Sequence, residues 1–326
     1  MFSLILIATF LVSASSNSNC PNRQAIEQSL NKVHIPGVAI VVVNATSILY
    51  EDGFGYHSLL PTKIMDVNQS IFALASISKT FIAVAARQLV EKELVDLDTD
   101  INQYLSEPDR KISHPDFPTN PITLRKLLSH SSSIAVDAQL QSTFDQLGDS
   151  AFVKETLADM LFKYLSPNSS NWLPRPPGNA TLYSYEENIF KPLNIDIRRV
   201  GVRLADFQNI DKLVKHYAYA VNESFLQLWT QEMPQLNISQ MKGNLSTWLH
   251  FSFFGFSGYP VGLLRMSARS LSAFLQMFIN NESPLLSSRS IIEMKTVVGG
   301  GLIRPYNTNP SINSIDQLPP RRYELC

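Results

Sequence analysis

Residues 72–105 read FALASISKTFIAVAARQLVEKELVDLDTDINQYL. Ile77, Phe81, Ile82, Val84, Ala85, Leu89 and Val90 recur so densely that almost no polar face remains, which predicts a helix within Ile71 to Val95 that is buried inside a domain. Near its start stand Ser76 and Lys79, three residues apart and therefore on one helical face. A serine hydroxyl is a poor nucleophile until a neighbouring base takes its proton, and a desolvated lysine, whose charged form is disfavoured, can be that base. The S-x-x-K spacing occurs three times, at Ser29–Lys32, Ser76–Lys79 and Ser239–Lys242. Only the middle one opens a long apolar helix; the other two lie in polar surroundings. The competing reading of Ser76 is an ordinary helix-capping serine.

Working outward, Asn22 to Lys32 has the pattern of a short amphipathic helix. Gly37-VAIVVV-Asn44 is a β-branched run bounded by Pro36-Gly37 and Asn44, and Ser47 to Tyr56 follows after a tight connection. Together they predict a hairpin of buried strands. Beyond Leu97 the expectation is short helices joined by Pro- and Asp-rich turns to about Tyr164, then a turn cluster at Pro174, Pro176, Pro177 and Gly178. Later helices are expected at Ala205–Glu223, Ser267–Ile279 and Ser288–Lys295, followed by an irregular tail over 306–326.

The 326 residues carry a net charge of −1, with 17% charged side chains and lysines and arginines mostly scattered singly. No electrostatic argument therefore favours nucleic acid or an anionic surface. Residues 2–14, FSLILIATFLVSA, are apolar and too short to cross a bilayer as a helix. They are read as a signal peptide over 1–14, with an uncleaved anchor as the alternative because a basic n-region is missing. Eight Asn-X-Ser/Thr sequons, at Asn44, Asn68, Asn168, Asn179, Asn222, Asn237, Asn244 and Asn281, exceed the roughly three expected by chance and suggest a glycosylating compartment. The expected location is secreted, or the lumen of the endomembrane system. With only Cys20 and Cys326, the chain is no disulfide scaffold. No HExxH, paired CxxC or P-loop is present, so no metal or nucleotide cofactor is implied.

The quoted stretch 72–105 is similar to the nucleophile helix of serine β-lactamase-related and penicillin-binding proteins, near the class C enzymes and D-alanyl-D-alanine peptidases. Ile122-TLRKLLSHSSSI-134 resembles the family's threonine-initiated LLxHTSG segment. Ile35-PGVAIVVV, Asp52-GFGYHS, Asn188-IFKPLNI and Pro260-VGLLRMSARSLSAFLQMF resemble further family segments in the same order, so the resemblance covers most of residues 24–305. It implies a mixed α+β architecture: an antiparallel sheet flanked by helices, with an all-helical subdomain, the domain spanning 22–305 and incomplete at its C-terminus.

The resemblance also implies roles. Ser76 is the nucleophile, Lys79 the base, and Tyr183, which follows Pro177-Gly178, the proton shuttle. Tyr185 stands where the family carries Asn, and helix-length sequence is missing before Asn188. The family's Lys/His-x-Gly strand has no counterpart; Lys295-Thr296-Val297 is a near miss at a helix end. His130 is expected to be a hydrogen-bonded core residue, and Ser133 to occupy a turn position that wants positive φ. The implied activity is acyl-enzyme hydrolysis of an ester, amide or β-lactam carbonyl in a small molecule or peptide. No cofactor, nucleic-acid partner or stable membrane span after signal cleavage is expected. The alternative is a catalytically inactive isoform, or a scaffold or binding member of the same family.

Overall fold

A computed structural model describes residues 22–105, 110–134, 143–168, 189–220, 223–232, 234–281 and 283–296. The expectations for the leader, for Tyr183 and Tyr185, for both cysteines and for the tail lie outside them. The described residues fall into two compact units, the first drawn from within 1–75, 139–157 and 195–279, the second from within 76–138, 158–194 and 280–326.

The first unit contains the described strands. Asn22 caps α1 (Arg23–Lys32), its side chain accepting from the Ala25 N–H at 2.8 Å. The predicted hairpin forms: β1 (Gly37–Val43) pairs antiparallel with β2 (Ile48–Leu59), which pairs with β3 (Thr62–Ile64) in the order β1-β2-β3. The expected burial is met only in part: β2 buries Phe54 at 1% exposure, whereas β1 is an edge and its Val42 is 46% exposed. The glycines explain the close pairing. A Cβ on Gly55, whose φ is +67°, would lie 2.3 Å from the Pro36 carbonyl oxygen, so only glycine fits the crossing.

β4 (Ile71–Ala73) pairs antiparallel with β10 (Arg265–Ser267), and β5 (Asp145–Leu147) with β9 (Phe254–Phe256). The remaining sheet has the order β6-β8-β7, built from His216–Tyr219, Trp248–Phe251 and Ser239–Gln240. Ile71, Phe207 and Leu213 form a buried cluster beneath partly buried Leu204 and Phe253. α4 (Ala151–Lys154), α6 (Glu223–Glu232) and α7 (Ala268–Asn280) complete this unit.

Two predicted helices are corrected here. Ile71–Ala73 is strand, because these residues find a ladder partner in β10 nearly two hundred positions away. Ala205–Glu223 is no helix: two 3₁₀ turns, Leu204–Asp206 and Ile210–Lys212, lead into strand β6. The distant Asp149 accepts the Leu204 and Ala205 N–H groups, and Asn209 caps the second turn locally, so one long-range and one local polar contact break the helical run.

The second unit is helical among its described residues. α2 (Ser78–Glu91) buries Phe81, Ala83, Val84, Ala85 and Ala86. Phe81 is fully buried and meets Phe190 edge-on at 6.0 Å, an anchor whose removal would cost about 3–5 kcal/mol. α3 (Leu124–Leu128) starts at Thr123, whose hydroxyl accepts from the Lys126 N–H. That is why a threonine opens the LLSH segment. α5 (Leu157–Tyr164) begins at the unit boundary, and Leu161 and Phe162 pack on a core of Ile101, Ile112, Ile122 and Leu165. α8 (Ser288–Lys295) is capped by Ser287, which accepts from the Ser290 N–H. The helices expected at 267–279 and 288–295 are therefore present, each shifted by at most a residue.

Candidate active site

The chain passes from the first unit to the second between Ala75 and Ser76, and the segment before that junction is held firmly. The Leu74 N–H donates to the Leu264 carbonyl at 2.8 Å, continuing the β4–β10 pairing. Ala75 then takes a φ of +48°, a conformation that disfavours any residue with a Cβ. Gly262 approaches the same turn, since a Cβ there would stand 4.0 Å from the Ala75 carbonyl carbon. The left-handed residue turns the chain sharply into the 3₁₀ turn Ala75–Ile77, which leads directly into α2.

Ser76 emerges exposed from this turn. Lys79, one helical turn on and half-buried, donates from Nζ to Ser76 Oγ at 3.1 Å. The intervening Ser78 is buried, and its hydroxyl finds no partner, so it is not open to a substrate. Ser76 is also not the helix cap: Ile77 occupies that position, with no side-chain bond. Of the other S-x-x-K matches, Ser29 donates back to the Ala25 carbonyl within α1, and Ser239 lies exposed in β7.

His130 departs from its expected role. It is exposed, on a turn with φ +53°, after the Leu127 carbonyl accepts its N–H at 2.9 Å. Partial desolvation of the ring, and then the charge of Lys79, hold its pKa below the ordinary histidine range. It is thus a surface-exposed residue and not a core residue. Ser133 does take the positive φ expected of it, at +63°. Lys295 ends α8 and Thr296 is its C-cap, so that near miss is a helix terminus.

Behind α2, Arg87 Nη2 reaches Ser290 Oγ at 2.9 Å and Glu293 at 3.0 Å. Arg125 grips Asp98 with two bonds of 2.8 Å and Glu293 at 3.3 Å. Asp98 is held below the usual carboxylate range by the Arg125 guanidinium. This network ties α2, α3 and α8 together and fixes the helix that carries Lys79. Sequence reasoning missed it, and it missed the Leu74–Leu264 bond, because both join residues far apart in the chain. Among the described residues no group of three or more His, Cys, Asp or Glu is placed to hold a metal ion. None of the described helices is long and apolar enough to cross a membrane.

A mixed α+β chain with a serine and lysine paired at a sharp strand-to-helix turn defines the β-lactamase and transpeptidase class of fold. The chain belongs to the Beta-lactamase family, whose model matches residues 22–301. Penicillin-binding protein 4* of Bacillus subtilis (strain 168) is 27% identical over 216 residues, covering 60% of this chain and 44% of that protein. The chain thus aligns with less than half the length of that relative. Among solved structures, the octameric penicillin-binding protein homologue from Pyrococcus abyssi superposes with a TM-score of 0.62 at 19% identity, covering 84% of this chain and 59% of the other. EstCE1, a hydrolase with promiscuous acyltransferase activity, superposes with a TM-score of 0.61 at 16% identity, covering 84% and 76%. These likenesses establish the β-lactamase/transpeptidase-like fold expected from the sequence.

Proposed function

We propose that this protein is a serine hydrolase that works through an acyl-enzyme on an ester, amide or β-lactam carbonyl. The observation that carries the reading is the 3.1 Å contact between Lys79 Nζ and an exposed Ser76 Oγ, the only one of three equal spacings to pair its side chains. With Lys79 in its neutral form, Ser76 Oγ attacks the carbonyl carbon and its proton passes to Lys79 Nζ. The Ser76 N–H, at the start of a helix, would supply part of an oxyanion hole. Collapse of the tetrahedral intermediate expels the alcohol or amine with a proton, and Tyr183 is proposed to relay it. Water then attacks the acyl-serine and releases the acid. The hydrolase and acyltransferase activity of EstCE1 makes an activated ester a sensible first substrate, and the penicillin-binding relative from Bacillus subtilis does the same for a penicillin.

Tyr185, in the position of the family's Asn, favours the second reading, a binding or scaffold member without turnover. The deciding test is covalent labelling of folded protein by a fluorescent penicillin and an activated ester probe, alongside Ser76→Ala and Lys79→Ala. Labelling that both substitutions abolish is expected. Labelling that survives Ser76→Ala refutes the assignment, and no labelling of the native chain moves it to the second reading. We also propose a secretory location, which the apolar leader and the sequons support.

A further inference from the structure

The sequons are the one motif that the hydrolytic reading leaves unused, and their settings differ. Asn237 and Asn244 flank β7, two residues before and four after a two-residue strand whose Ser239 and Gln240 are both exposed. β7 is an edge of its sheet, paired only with β8. Asn237 is exposed at a φ of +46°, directly after the 3₁₀ turn Pro234–Leu236. Asn244 is exposed in the 3₁₀ turn Gly243–Leu245, where a Cβ on Gly243 would meet nothing within 4 Å. The third sequon residues, Ser239 and Ser246, are exposed as well. Each turn therefore presents amide and hydroxyl together on open surface.

Two other sequons offer a contrast. Asn281 is half-buried and its Oδ1 accepts from Lys295 Nζ. Asn68 is half-buried, its N–H donating to Asp66 Oδ1 at 2.8 Å and its carbonyl accepting from Arg199 at 3.4 Å. The Asn281 side chain is thus engaged, and Asn68 is held by its backbone in a half-buried turn.

We infer that Asn237 and Asn244 carry N-linked glycans, and that this pair of glycans shields the open edge of β7 from pairing with another chain. The inference rests on the secretory reading above. An edge strand presents unpaired N–H and C=O groups that can template association, and natural proteins blunt such edges with short strands, with charged side chains or by covering them. A sugar on each of the turns that flank this two-residue strand supplies that cover. The modification joins the asparagine Nδ2 to the reducing sugar of a lipid-linked oligosaccharide, with the lipid pyrophosphate leaving, so the donor is the secretory pathway's own.

The test expresses the full chain with its own N-terminus in a eukaryotic cell line and collects medium and cells. Amidase deglycosylation in heavy-oxygen water converts each occupied asparagine to a mass-tagged aspartate, which peptide mapping locates. Tags at Asn237 and Asn244, and none at Asn281, are expected. Chain found untagged in the medium upholds secretion and overturns the glycan inference; chain retained in the cytosol overturns both. For the shielding, Asn237→Gln with Ser246→Ala removes both sequons while keeping the Asn244 side chain. This variant is expected to self-associate at a concentration about tenfold lower than the glycosylated chain in sedimentation velocity. Enzymatic removal of glycans from the native secreted chain should produce the same shift without a substitution. If neither treatment changes association, the shielding role is wrong.

Discussion

Asp145 offers a quantitative test of the first unit. It lies in β5 opposite Phe256, is 6% exposed, and burial alone pushes its carboxyl up from 3.8 to about 7. The folded-state pKa is raised, so the fold keeps a proton that the open chain releases. Stability attributable to this group is therefore full below pH 3.8 and falls as pH rises towards 7, after which the loss is constant. The gap between the two values corresponds to about 4 kcal/mol. Asp145→Asn keeps the shape and removes the titration. At pH 8 the variant should be more stable by about 4 kcal/mol, and at pH 4 the difference should shrink below about 1 kcal/mol. Urea unfolding followed by tryptophan fluorescence at both pH values measures it, since Trp229 and Trp248 report on this unit. A variant that is no more stable at pH 8, or a difference that does not grow between pH 4 and 8, would falsify the reading of an uncompensated buried carboxyl.

Four further outcomes are expected. His216 meets Phe253 and Phe254 edge-on at 5.6 and 5.9 Å, and burial, then Arg265 and His250, lower its pKa to about 4. A lowered histidine stabilises fully above pH 6.5 and loses that contribution as pH falls to 4, so His216→Phe should flatten the acid limb of the stability curve by about 3 kcal/mol. Gly55→Ala should cost more than about 2 kcal/mol, combining positive φ with the Pro36 clash, whereas Gly243→Ala, at φ +66° in open space, should cost only about 1 kcal/mol by thermal unfolding. Glu293→Gln leaves the buried Arg87 and half-exposed Arg125 without their shared carboxylate and should destabilise the second unit by about 2 kcal/mol, checked by hydrogen exchange in α2 and α8. Val84→Ala in α2, at a side chain with no exposed surface, should lower stability by about 2 kcal/mol in urea while leaving the Ser76 label intact.

Local information determined a good deal. The apolar run in 72–105 marked the buried helix, and Asn22, Thr123 and Ser287 are side-chain caps whose partners lie three residues away. The Ser76–Lys79 pair was legible for the same reason: one helical turn of spacing decides whether two side chains meet. The order of the family-like segments identified the fold class, because several motifs in sequence constrain topology more than any one of them.

Tertiary structure decided the rest. Ile71–Ala73 and His216–Tyr219 carry no local pattern that separates strand from helix; a ladder partner elsewhere in the chain settles each. His130 was misjudged because whether a residue is exposed depends on what packs against its turn. Nothing in the sequence around Ala75 announces a left-handed residue. Ala75 follows a strand whose partner lies nearly two hundred positions away, and just beyond it Ser76 meets its lysine in the open, whereas the two serines with the same spacing show no such pair. Spacing along a helix is a short-range property that sequence encodes directly, whereas pairing, burial and backbone strain arise from residues brought together only when the chain has folded.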